Sequence, residues 1–194
     1  GTIEYVSEID GVLEDIRETI QVRALLPVRQ DVDLTTGNIR FDGDVHIRGS
    51  VRDGFAVYAT GDIEVEGGLE GGVAVSVGGD VLVRAGIDGR GHGFVSAGKD
   101  VASRCIENAR VYAGGDVMSL ESIQHSEVTA GNSVLALQGR GCIAGGSIRA
   151  GHLVHAKRLG TIRTPWTEIA VGIDFDRSRG IRELDQRTAE LASA

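Results

Sequence analysis

Aliphatic residues return at every sixth position over a long stretch of this chain, at Val45, Val51, Val57, Ile63, Leu69, Val75, Val81 and Ile87. Laid over that beat is a recurring phrase, aliphatic-x-small-x-Gly-polar-aliphatic, starting at Ile39, Val57, Val75, Val95, Val111, Val128 and Ile148. Successive starts are 18, 18, 20, 16, 17 and 20 residues apart. The closing positions are Val45, Ile63, Val81, Val101, Val117, Val134 and Val154, every one β-branched and so suited to a pleated surface. Just before them, Gly43, Gly61, Gly79, Gly98, Gly115, Gly131 and Gly151 supply backbone freedom for a bend.

No helical periodicity lies between these short strands, which excludes βαβ units, and the register does not fit an antiparallel sandwich. The pattern predicts an all-β fold, a single-stranded parallel β-helix of about seven rungs of about 18 residues, with identical positions stacked about 4.8 Å apart. A right-handed coil is expected, because Ile47, Val65, Val77 and Val83 add a second bulky residue two positions on and lengthen the inward-facing strand. A left-handed hexapeptide helix is the alternative that the six-residue beat also describes. Residues 1–30 lack the phrase and read as a cap or the remnant of a preceding domain; 31–175 form the β-helix, with a last strand over 167–173. Residues 176–194 read as a C-terminal helix, or the start of a coiled coil, since Leu184 and Leu191 stand seven apart.

Composition narrows the picture. Aromatics are 4%, Gly numbers 29 and Pro only 2, which suits a thin aliphatic core with many tight corners. There is no apolar run of the ~18 residues a bilayer span needs, and no charged-then-apolar leader, so no membrane span and a cytoplasmic location are expected. Cys105 and Cys142 sit among aliphatics as core residues would, and reduced thiols are expected.

The run from Asp31 to Gly67, DVDLTTGNIRFDGDVHIRGSVRDGFAVYATGDIEVEG, resembles the start of the solenoid in the bacterial flagellar assembly protein A family. So do CIENARVYAGGDV from Cys105, GGSIRAGHLVHAKRLGT from Gly145 and TEIAVGID from Thr167. The resemblance covers about residues 31 to 175 and is fairly specific as a combination. It implies a cytosolic β-helix between an N-terminal domain and a coiled-coil segment, linked to flagellar assembly, and it offers no catalytic residue to carry over. After Asp174 the chain departs from the family pattern, with Phe175 where Pro is usual.

Candidate chemistry is sparse. Asp44, Asp62, Asp80, Asp100 and Asp116 recur once per rung, but one carboxylate per rung is too few for calcium, and each is expected to accept a nearby backbone N–H. His152 and His155 are three apart and point to opposite faces of a regular strand. Gly86, Gly89, Gly91 and Gly93 surround Arg90 and His92 where the repeat lengthens, and read as a bulged corner loop. No catalytic, metal-binding or cofactor-binding residue is assigned.

Charge placement says more. Residues 1–80 carry 16 acids against 6 bases, whereas 81–168 carry 7 against 10, and 128–167 contain no acid at all. Arg140, Arg149, Lys157, Arg158 and Arg163 accumulate there and form the candidate interaction patch, for an acidic protein surface or the acidic end of another copy. A pI of 5.1 and the absence of interleaved aromatics argue against nucleic acid. The expected function is a non-enzymatic scaffold or protein-interaction domain that binds a protein partner or self-associates, with a homo-oligomer among the outcomes. A regulatory module capturing one signalling or transport protein is the alternative. A hexapeptide-type acyltransferase, using His125 or His92, ranks last.

Overall fold

A computed structural model of the chain describes residues 11–16, 19–161 and 166–172. The helix expected over 182–191 lies outside the described residues, as does Arg163. The described part is a parallel β-solenoid of three faces, in which each strand pairs in register with those one turn before and after it. The first face begins with Ile39–Phe41, Ala56–Ala59, Val73–Ser76, Phe94–Ala97 and Arg110–Ala113. It continues through 127–130 and 147–150 to Thr167–Val171. The second face starts at 25–28, the end of a longer strand Thr19–Val28, and includes Asp44–Ile47, Ile63–Val65, Val81–Val83 and Ser133–Ala136. The third is narrowest and is built around Val32, Val51, Leu69 and Ile87.

Each of the first two faces holds eight strands, so the solenoid makes about eight turns where the repeat phrase predicts seven. The phrase spans one first-face strand and the following second-face strand. It therefore passes over the leading strand 25–28 and the final strand Thr167–Val171, which lack the other half. Parallel pairing of Leu25–Val28 with Asp44–Ile47 also begins the stack before the boundary expected at residue 31. Upstream, Gly11–Ile16 pairs antiparallel with the first half of Thr19–Val28.

The core is a set of columns running along the axis. Leu26, Val45, Ile63, Val81, Val101, Val117, Val134 and Val154 form one, as the β-branched closing positions require. Val45 through Val134 in that column are at most 1% exposed. On the third face Leu69, Ile87, Ile106, Ile123 and Ile143 stack directly, all buried. Ile47, Val65 and Val83 form the second inward column expected on the second face, and all three are fully buried. Val77 does not join them and is 64% exposed.

One register differs from the phrase. Ala74, not Val75, stacks between Val57 and Val95, while Val75 pairs with Tyr58 and Ser96 and is itself only 5% exposed. The corner from Leu69 to the first face is one residue shorter than the same corner after Val51. Side chains alternate along a strand, so losing one residue moves the next inward position forward by one.

The corner between the first and second faces is a Gly-Asp step at Asp44, Asp62, Asp80 and Asp116 and Gly-Lys-Asp at Asp100, and its chemistry joins successive turns. The Asp62 N–H donates to Asp44 Oδ1 at 2.7 Å, that of Asp80 to Asp62 at 2.8 Å, that of Asp100 to Asp80 at 2.9 Å, and that of Asp116 to Asp100 at 2.7 Å. The ladder ends where Asp116 accepts from the Ser133 N–H and the Asn132 amide. These carboxylates thus take the backbone role expected of them, with the donor in the next turn rather than in the same corner. Glycine precedes four of the five, Lys99 standing before Asp100, and the space is tight there: a Cβ at Gly61, Gly79 or Gly115 would run into the Asp44, Asp62 or Asp100 carboxylate of the turn below.

Candidate functional site

A closed solenoid offers three outer faces, their corners and its ends. At the corner between the second and third faces, the strand Ser133–Ala136 leads into a loop over 137–141, exposed at 137–140, before Cys142–Ala150 begins. Gly139 and Gly141 take left-handed φ values of 47° and 53°, and the Gly141 N–H closes the loop on the Gln138 carbonyl at 2.7 Å. Lys157 and Arg158 of the next turn both donate backbone N–H groups to the Gly141 carbonyl, at 2.8 and 3.0 Å. Lys157 Nζ also reaches the Gly139 carbonyl at 3.4 Å.

Three of the five residues in the candidate patch are thereby gathered at one corner. Arg140, Lys157 and Arg158 are all exposed, and none makes an ion pair among the described residues. Arg149 is exposed too, but lies on the first face in register with Thr129 and Ala170, away from that corner.

The opposite end of the molecule has the inverse character. Arg52 donates Nε to Asp31 at 2.8 Å and Nη1 to Glu70 at 2.7 Å, while Arg90 donates to the other Glu70 oxygen at 2.9 Å. His92 meets Asp53 at 2.7 Å. The Ser50 N–H, at 2.7 Å, and the Arg52 guanidinium hold the Asp31 carboxyl below the ordinary carboxylate range. The His92 hydrogen bond does the same for Asp53. The loop over 89–93 is the expected bulged corner: the His92 and Gly93 N–H groups return to the Gly89 carbonyl, and Arg90 sits at a φ of 49°. Its Arg90 and His92 side chains fold back onto earlier turns and extend the network. A shallow hollow of about 280 Å³ lies beside it, lined by residues that include Glu70, Asp88, Arg90, Cys105 and Glu107.

Burial pushes the Cys105 thiol up, away from the reactive thiolate form. Ser122 stands between Cys105 and Cys142 in the same column, so the two are two turns, about 9.6 Å, apart and beyond disulfide reach. His125 occupies a left-handed corner position at φ 48°, with its ring over Gly145. Among the described residues, no group of three or more His, Cys, Asp or Glu side chains is arranged to hold a metal ion. No helix of the described residues is long and apolar enough to cross a membrane.

The repeat phrase does not flag Leu82, Met118 or Leu135. Each follows an inward valine, however, and alternation alone turns it outward. With Ala102 they make an unbroken apolar column on the outside of the second face.

Among protein families, the flagellar assembly protein A beta solenoid domain, FapA, matches residues 24–194. The chain belongs to the FapA family. The match begins within one residue of Leu25, where the parallel stack itself begins, so the family unit and the physical unit share their start. No curated protein and no solved structure matches the chain. Membership in FapA links the solenoid to flagellar assembly and leaves its partner to be argued from the surface.

Proposed function

We propose that this FapA solenoid is a cytosolic, non-enzymatic docking scaffold whose C-terminal corner, Arg140, Lys157 and Arg158, receives an acidic protein surface. The observation that carries the reading is the convergence of these three exposed cations within an acid-free stretch of 128–167, on a chain whose net charge is −8. Such a corner attracts acidic surfaces and repels basic ones, and the acidic first turns of another copy are one surface of that kind. A rigid stack of turns suits this role, because it holds the corner fixed without spending binding free energy on ordering it.

The test is light scattering coupled to size exclusion at low and high salt, together with capture of flagellar assembly components from a lysate of the source bacterium. The Arg140→Glu/Lys157→Glu/Arg158→Glu variant is expected to lose its salt-sensitive association, and Arg149→Glu to keep it. Capture of an acidic partner that survives the triple reversal with its salt sensitivity intact would overturn the reading. A monomer at both salts that captures one partner stoichiometrically would instead favour the regulatory binding module.

A further inference from the structure

The outer second face is a three-column grid set by the parallel register. Its left column is the carboxylate ladder from Asp44 to Asp116, and its right column holds the residue that follows each second inward position, including Arg84, Arg104, Leu120 and Leu137. Between them runs the apolar column Leu82, Ala102, Met118 and Leu135. Met118 is 38% exposed, Leu120 46% and Leu137 39%. Ala102 is small, and a hollow of about 320 Å³ opens around it between Leu82, Met118 and the Asp80 and Asp100 rungs of the ladder.

We propose that this face pairs with the same face of a second copy, about a two-fold axis parallel to the solenoid axis. That operation lays the central column on itself and exchanges left with right at every turn. Asp80 then faces Arg84 of the second copy and Asp100 faces Arg104, while in the next two turns Leu120 and Leu137 stand opposite Asp116 and Ser133 at the margin of the apolar strip. Each contact occurs twice, as an isologous interface requires. An antiparallel pairing would instead set left column against left and discard the acid–base match. Glu64, Glu66 and Asp62 form an acidic row one turn earlier, with Glu64 held by Arg84 at 2.8 Å and Glu66 by His46 at 2.9 Å, so the pairing is confined to the turns from Leu82 to Leu137. A strip of four turns is about 15–20 Å long and lies at the lower bound of specific interfaces, so the dimer forms reversibly with concentration. It does not depend on the basic corner.

The experiment is cysteine cross-linking with sedimentation, in a Cys105→Ser background. Met118→Cys and Ala102→Cys, each alone, are expected to give disulfide-linked dimers on mild oxidation, because both lie in the self-facing column. Leu82→Glu with Leu135→Glu, both half-buried on the outer face, is expected to return the protein to monomer with its circular dichroism unchanged. The Lys157→Glu/Arg158→Glu variant is expected to dimerise like the parent. A monomer at the highest soluble concentration would overturn the proposal. So would a dimer abolished by the Lys157 and Arg158 reversals but not by the Leu82 and Leu135 changes, an outcome that leaves the basic corner standing. Cross-linking of a Met118→Cys chain only to a Leu135→Cys chain would overturn it too, by showing the antiparallel arrangement.

Discussion

At the scale of single residues, this fold spends glycine on two different problems, and substitution separates them. Gly37 has a φ of +73° with nothing within 4 Å of an added Cβ, so Gly37→Ala carries only the left-handed strain of about 1–2 kcal/mol. Gly146 has a φ of +85°, and a Cβ there would also run into the Ser126 backbone, 2.7 Å from its nitrogen. Overpacking adds a further ~1–3 kcal/mol, so Gly146→Ala is expected to lower the urea midpoint clearly further than Gly37→Ala. Equal shifts would mean that the turns separate without cost. The ladder makes a second expectation. Asp100→Ala leaves the Asp116 N–H without its acceptor and should cost about 1–3 kcal/mol. Asp100→Asn keeps an acceptor oxygen and relieves like-charge repulsion of about 1 kcal/mol per neighbour, so its chemical denaturation curve should lie close to the parent's. The Gly-Asp pair is plain in the sequence, but its reason is not. A bend needs only local freedom, whereas the space at Gly61 is dictated by a carboxylate 17 residues earlier, and local pattern carries no trace of that contact.

Strands and turns behave as repeats of one another, and burial depends on where in the stack a position falls. Ile106 is fully buried between Ile87 and Ile123, so Ile106→Ala should cost about 2–5 kcal/mol. Val154 fills the equivalent kind of inward position in the final turn but is only partly buried, and Val154→Ala should cost under about half as much. Guanidinium melts of the two variants check this; similar losses would show that a further layer covers the final turn. Most of the columns can be read from the sequence, because β-branched residues at matched spacing leave few alternatives. Two exceptions mark the limit. Ser103 and Ser119 occupy inward positions below Val83 and are almost fully buried, against their polarity. They are satisfied across a tight corner, the Ser103 hydroxyl donating to the Cys105 carbonyl and that of Ser119 to the Ser122 carbonyl, each at 2.9 Å. Likewise Val75 and Ala74 are both buried, and only the length of the preceding corner decides that Ala74 takes the inward position between Val57 and Val95.

Over the whole molecule, charge and packing place the weak points at opposite ends, and pH should exchange them. At neutral pH the final turn is the less protected one, with Leu153 46% and Leu159 58% exposed. The carboxyls held below the ordinary range among the described residues are Asp31, Asp33 and Asp53, all in the early turns. Asp31 is held by the Ser50 N–H and Arg52, Asp33 by the Thr35 hydroxyl, and Asp53 by His92. A carboxyl that titrates lower folded than unfolded contributes its full stability above the unfolded value, and that contribution is lost as pH falls through the folded one. Acid should therefore loosen the early turns selectively, while leaving the aliphatic columns of the middle turns intact. Amide exchange, corrected for intrinsic rate, is expected to show 153–159 opening before 44–59 at pH 7, and the gap narrowing or inverting near pH 3. Asp31→Asn removes the first of these titrations and should flatten the change at 48–52, where the Ser50 N–H and Arg52 lose their charged partner at every pH. The charge asymmetry itself is legible in the sequence as a count of acids and bases. That Arg140, Lys157 and Arg158 meet at one corner while Arg149 does not is a property of the register, and no count along the chain contains it. An acid-insensitive exchange pattern would mean that the early turns draw their stability from the core columns alone, and that the surface network around Arg52 only orients side chains.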